Sequence, residues 1–296
     1  MMRYLPHGPA DRAAMLTAIG ASSPDDLLAT VPDGLRLDGP LDLPPPMSEM
    51  ELQDRLSGLS MRNASTGCYR SFLGAGAYDH FVPVAVDHLL SRTEFYSSYT
   101  PYQPEISQGT LQTIFEFQSL LAMLTSLEVA NASLYDGATA VVEALLMANR
   151  VHGRDRMVVA ASLHPEYLRT ARTYFRNLGL AIETVPWGAD GRVDLRSLEA
   201  AVDESTAAVA VQSPNAFGVV ERLDRISAAA HANGAAAVAV VAEPYSLGAL
   251  AGPGTLGCDI CVGEAQSFEV KTPMGLVERM YVPERSPLVA ATVSWR

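Results

Sequence analysis

The stretch AAVAVQSPNAFGVVERLDRISAAAHANGAAAVAVVAEP (207–244) decides the fold. It opens on AAVAVQ (207–212) and closes on AVAVVA (237–242), two apolar runs without polar alternation. A strand of that kind is covered on both faces, as in a parallel sheet packed between helices. Residues 221–233 between the runs read as a helix, so the segment is one strand–helix–strand unit. The same rhythm extends on both sides. Strands are predicted at 128–134, 156–161, 180–185 and 259–263, and helices at 137–150, 165–178 and 194–203. The fold class is therefore α/β, a mostly parallel sheet flanked by helices.

Further out the pattern changes. SSYTPYQPEISQG (97–109) is polar, aromatic and stiffened by Pro101 and Pro104. It leads into Leu111, Ile114, Phe115, Phe117, Leu120, Leu121 and Leu124, apolar nearly all round, which predicts a buried helix. Upstream lie a glycine-punctuated loop, GCYRSFLGAGAYD (67–79), and a helix at 82–91. The first 60 or so residues read as short helices joined by Pro-rich turns. Ser48 and Glu51 have capping-box spacing, and PDGLRLDGPLDLPPP (32–46) is an extended arm. Three regions follow: a helical N-terminal arm (1–66), a large α/β domain (67–268) and a tail (269–296). Within the tail, Val282–Val293 has strand character weakened by Pro283 and Pro287.

Composition narrows the function. The chain has 296 residues, 48% of them hydrophobic and 18% charged, which fits one or two globular domains. A net charge of −12 repels phosphate backbones, so no nucleic-acid partner is expected. The three cysteines cannot build a disulfide framework and point to a reducing compartment, so a cytoplasmic location is expected. MMRYLPHGPADR lacks an apolar signal region, and Ala235–Ala242 is far too short to span a bilayer, so no membrane partner is expected. Of the 21 basic residues only Lys271 is a lysine, so chemistry that needs one has a single candidate.

Five positions carry chemistry. Gly137, Ala138 and Thr139 follow Asp136 between a strand and a helix, where small residues let backbone N–H groups meet an anion. Taken locally, a plain tight strand-to-helix turn is the first reading of them. Glu243 ends the 236–242 strand, where α/β proteins bind ligands. It could hold a protonated ring nitrogen, or simply face solvent. His164 follows the 156–161 strand on the same edge and could stack on a ring. Cys258 and Cys261 make a CxxC, but the second lies in an apolar strand, and a buried structural pair is expected. The histidines lack ligand spacing, so no metal is expected. Lys271 completes the set. An anion turn, a strand-end carboxylate and a lysine are the parts of a pyridoxal-phosphate (PLP) site with a Schiff-base lysine. A lone surface lysine is the other reading.

Six segments carry a family resemblance: FLGAGAYDHFVP (72–83), YTPYQPEISQGTLQTIFEFQ (99–118), ANASLYDGATA (130–140), HPEY (164–167), QSPNAFGVVE (212–221) and CDICVGEAQSF (258–268). They resemble glycine decarboxylase, the P-protein of the glycine cleavage system, and within it the first (α) subunit of the bacterial two-subunit form. The likeness runs from Met2 to about Phe268. It implies the aspartate-aminotransferase-like fold (fold type I). It also implies assembly with a second (β) subunit, whose His-Lys-Thr motif carries PLP. The assembled enzyme decarboxylates glycine and passes the aminomethyl group to the lipoyl arm of H-protein.

In that frame Gln266 and Ser267 stand where His-Lys would be, and Lys271 is displaced by four residues. Glu243 replaces the Asp of PLP-binding members. Both departures imply a subunit with a vestigial pocket (Gly137, Ala138, Thr139, His164, Glu243) and no PLP of its own. Tyr99, Thr100, Tyr102, Gln103 and Glu105, on the Pro-stiffened loop, would line the partner's PLP pocket or only pack the interface. The tail does not resemble the family's Gly-rich continuation and small C-terminal domain, so a C-terminally truncated member is expected. Two alternatives stand beside this reading: a self-sufficient PLP enzyme using Lys271, and a non-catalytic relic.

Overall fold

A computed structural model describes residues 6–37, 39–64, 68–70, 72, 81, 83–95, 100–268 and 292–295. The chain divides into two compact units, Met1–Asn63 and Ala64–Arg296. The first unit holds α1 (Pro9–Ile19) and α2 (Glu49–Ser60). Proline at its start and the left-handed Gly20 (φ 73°) delimit α1. At α2 the expected capping box forms. The Glu51 N–H donates to Ser48 Oγ at 3.4 Å, and the Ser48 N–H donates to Glu51 Oε2 at 2.8 Å. Neither helix buries a residue, and Leu35, Leu37, Leu41 and Leu43 between them are exposed.

The second unit runs through α3 (Val84–Leu90), α4 (Gln108–Thr125), β1 (Val129–Ala130), α5 (Gly137–His152), β2 (Arg156–Ala160), α6 (Pro165–Phe175) and β3 (Ala181–Val185). It continues through α7 (Leu195–Ala201), β4 (Thr206–Gln212), α8 (Leu223–His231), β5 (Ala236–Val241), β6 (Ile260–Gly263) and β7 (Thr292–Trp295). The sheet order is β1-β7-β6-β5-β4-β2-β3. Strands β2 to β6 pair in parallel, and β7 is antiparallel to both neighbours.

The expected two-sided burial is present. Met157, Val159, Ala208, Ala210, Val238 and Val240 pack under α5 and α6. Their alternates Val158, Ala160, Val209, Val211 and Ala237 pack under α7 and α8. A strand side chain switches face at each residue, so only a continuous apolar run can feed both layers. The β1 strand is shorter than the 128–134 reading, because the chain must turn through Ser133 (φ 136°) to reach α5.

One expectation is overturned. The α4 helix was to be buried, yet only Leu121 and Thr125 are, while Phe115 is 68% and Met123 75% exposed. The helix lies on β1 and β7 by one face, and among the described residues nothing covers the other. Cys258 and Cys261 are buried and form no disulfide, as the apolar strand implied. Burial, with the neighbouring Cys258 as a lesser cause, raises the Cys261 thiol far above its ordinary range. Lys271 and the 269–291 part of the tail lie outside the described residues.

Candidate functional site

The carboxyl ends of β2, β4, β5 and β6 lie along one edge of the sheet, and α5 begins at the same edge. Asp136 caps α5: its Oδ1 accepts the Thr139 N–H at 2.7 Å and the Thr139 hydroxyl at 2.8 Å. Thr139 is thereby committed to the helix cap. The Gly137 N–H donates instead to Glu264 Oε1, at 2.8 Å. Glu264 stands directly after β6, and the same oxygen accepts the Tyr167 hydroxyl at 2.9 Å. Glycine at 137 lets these groups approach closely, since a Cβ there would lie 2.4 Å from the Tyr167 hydroxyl and 2.5 Å from Glu264 Oε1 and those side-chain tips would have to move away.

His164 caps α6, its Nδ1 accepting the Glu166 N–H at 3.2 Å. Its ring lies on Tyr167, with centroids 4.8 Å apart. Its backbone N–H donates to Gln212 Oε1 at 2.8 Å, joining the ends of β2 and β4. Strand order changes direction there, which is where open α/β sheets place ligands. Glu243 Oε1 accepts the Tyr245 N–H at 3.0 Å, and Oε2 accepts the Ser267 hydroxyl at 3.1 Å. Tyr245 in turn packs edge-on against Phe268 at 5.1 Å.

The structure thus links Gly137 and His164 through Tyr167 and Glu264, and sets Glu243 on Ser267. The loop residues Thr100, Tyr102, Gln103 and Glu105 lie before α4 and are exposed, and Tyr99 lies outside the described residues. Three residues of the edge escaped sequence reasoning: Tyr167, Gln212 and Glu264. Glu264 obeys the rule that singled out Glu243, a carboxylate directly after a parallel strand. Ser133, in the turn before α5, has the one buried side-chain oxygen among the described residues with no hydrogen-bond partner. Larger cavities lie elsewhere. One of about 320 Å³ sits at the amino ends of β5 and β6, between Met147, Val151, His231 and Asp259. Among the described residues no cluster could hold a metal ion, and no helix is long and apolar enough to cross a membrane.

A parallel sheet with one antiparallel strand inset, and polar strand ends facing a capped helix, define the aspartate-aminotransferase-like class of PLP-dependent folds, fold type I. The chain belongs within that class to the glycine cleavage system P-protein family, whose sequence profile matches residues 2–277. It is 53% identical over 267 residues to the probable glycine dehydrogenase (decarboxylating) subunit 1 of Anaeromyxobacter dehalogenans strain 2CP-C, covering 90% of this chain and 60% of that protein. The corresponding Maricaulis maris protein is 47% identical over 93% of this chain and 61% of its own. A crystal structure of glycine decarboxylase (P-protein) in inhibitor-bound form superposes with a TM-score of 0.83 at 40% identity, over 99% of this chain and 63% of that one. Burkholderia pseudomallei sphingosine-1-phosphate lyase shares the fold at a TM-score of 0.58 and 15% identity, over 90% of this chain and 63% of its own. The chain therefore spans about 60% of the length of the curated relatives it matches.

The fold implies PLP, and among the described residues the groups that would hold it do not fit it, being engaged within the chain. The helix-end N–H that would meet the phosphate holds Glu264. The carboxylate that would meet the ring nitrogen holds Ser267, and the imidazole that would face the ring holds Tyr167. A cavity beside Glu264, lined by Leu121, Val241, Pro244, Gly263 and Ala265, measures about 30 Å³. That is room for about one water molecule.

Proposed function

We propose that this chain serves as the first subunit of a two-subunit glycine dehydrogenase (decarboxylating). In this role it completes the partner's active site and binds no PLP itself. The observation that carries the reading is the strand edge, where the Gly137 N–H, the Tyr167 hydroxyl and the Glu264 and Glu243 carboxylates are bonded within the chain. Family membership and relatives named subunit 1 supply the context. The PLP, with the electron-withdrawing power that lets a carboxylate leave as CO₂, belongs to the second subunit. Glycine would bind there, and the lipoyl arm of H-protein would accept the aminomethyl group.

This chain's contribution is its loop before α4. Tyr102 (86% exposed) and Ile106 (71%) continue into the uncovered Phe115 and Met123 of that helix. A stiff loop of hydroxyls, an amide and a carboxylate (Thr100, Tyr102, Gln103, Glu105) can order a neighbouring pocket at little entropic cost, because Pro101 and Pro104 restrict it already. The test is co-expression with a cognate second subunit, size-exclusion chromatography, and glycine–bicarbonate exchange with H-protein. A complex with exchange activity that neither chain has alone is expected, and Tyr102→Ala with Gln103→Ala should lower exchange at least tenfold without dissolving the complex. Absence of a complex, or exchange by this chain alone with added PLP, refutes the reading.

A further inference from the structure

The amino end of α5 keeps the shape of an anion cradle. Asp136 caps it, and a helix of 16 residues stands behind it. Its dipole and the Gly137 N–H favour a negative oxygen at that point. That oxygen is supplied by the chain. Glu264 Oε1 lies 2.8 Å from the Gly137 nitrogen and 2.9 Å from the Tyr167 hydroxyl, so donors from two helices converge on it. The groups are close together: a Cβ at Gly137 would lie 2.4 Å from the Tyr167 hydroxyl and 2.5 Å from Glu264 Oε1, so it would displace them.

We infer that the Glu264 carboxylate is a built-in substitute for the oxyanion of a phosphate monoester, closing the cradle and tying the end of β6 to the start of α5. The closure lies in one side chain and not in the backbone, so removing that side chain opens a phosphate site. The inference rests on the geometry of this chain alone and stands whether or not the glycine dehydrogenase reading does.

The test is thermal unfolding of the full chain in inorganic phosphate from 0 to 50 mM, at constant ionic strength set with chloride. The wild type is expected to show no phosphate-dependent rise in Tm. Glu264→Ala should melt lower in chloride and recover by about 5 °C at the highest phosphate concentration, as ligand linkage requires for millimolar binding. PLP should raise the Tm of this variant as phosphate does, and pyridoxal, which lacks the phosphate, should not. Tyr167→Phe leaves the carboxylate on Gly137, so it should lose stability without gaining a phosphate response. If Glu264→Ala does not fold in chloride, its refolding yield in phosphate becomes the readout, with recovery expected. A wild type that responds like the variant overturns the inference. So does a Glu264→Ala chain whose stability and refolding both ignore phosphate.

Discussion

Glu221 offers the sharpest stability test of how the functional edge is held. Its side chain is 5% exposed and joins three loops that leave the sheet. Oε1 accepts the Asn215 amide at 2.7 Å, the Val193 N–H at 3.1 Å and the Ser162 hydroxyl at 3.3 Å, and Oε2 shares the Val193 N–H at 3.0 Å. Asn215 also donates to the Gly191 carbonyl at 2.8 Å. Glu221→Ala strands the Val193 N–H outright and leaves Ser162 and Asn215 each short of one bond. At about 1–3 kcal/mol for a buried unsatisfied group, the gross loss is about 4–5 kcal/mol. Relief from burying a carboxylate offsets part of it, so we expect about 3 kcal/mol. For a unit of this size that lowers Tm by about 6–12 °C. Glu221→Gln keeps one acceptor oxygen and should cost about half as much. Urea denaturation and thermal scans measure both, and a cycle with Asn215→Ala should show a coupling of about 1 kcal/mol or more. An alanine variant within 1 kcal/mol of wild type, or glutamine equal to alanine, would refute the reasoning.

Three further outcomes follow from particular residues. In the native chain only the exposed Cys68 should react with a thiol reagent, and all three cysteines should react in denaturant. The Cys261 thiol is raised in the folded state, so the unfolded state releases its proton first as pH climbs past about 8.5. Its stabilising contribution is therefore complete below that pH and lost above it, by up to about 1.4 kcal/mol per pH unit. Cys261→Ala should flatten that slope in unfolding measurements between pH 8.5 and 10.5. Gly263→Ala would set a Cβ 2.1 Å from the Val241 carbonyl oxygen, which already accepts the Glu264 N–H at 3.1 Å. Spreading β5 from β6 to make room should cost about 2–3 kcal/mol and lower Tm by about 5–10 °C. An unchanged Tm would mean that the strands do not meet this closely.

Much of the fold was legible because two-sided burial leaves a plain trace. Within AAVAVQ and AVAVVA the one polar position is Gln212 at the strand end, since neither face of β4 or β5 meets water. Helix α4 misled for a related reason: sequence reports which side chains are apolar and not which of them the chain covers. Phe115 and Met123 read as core and are exposed. At the site, strand ends and capping turns were readable locally, which singled out Gly137, Thr139, His164 and Glu243. The bonds that join Glu264 to Gly137 and Tyr167 were not, because they link residues 127 and 97 apart in the chain. No local period encodes such pairs, and only the folded edge reveals that the cradle has an occupant.

The contrast between that edge and the α4 face bears on where this chain does its work. A pocket poised for a ligand holds polar groups whose bonding is incomplete until the ligand arrives. Here Glu243, Glu264, His164 and Gln212 are each hydrogen-bonded within the chain, and Ser133 alone among the described residues keeps an orphaned buried side-chain oxygen. The imbalance lies outside. Tyr102, Ile106, Phe115, Leu120 and Met123 run along one loop and its helix with more than half their surface in water. Exposed apolar groups in series are costly in water at about 25 cal/mol per Å² and mark an association surface when they are contiguous. A closed pocket beside an open apolar face is the pattern of a chain that supports chemistry in a partner, and this favours the pocket-completing role over a self-sufficient PLP enzyme.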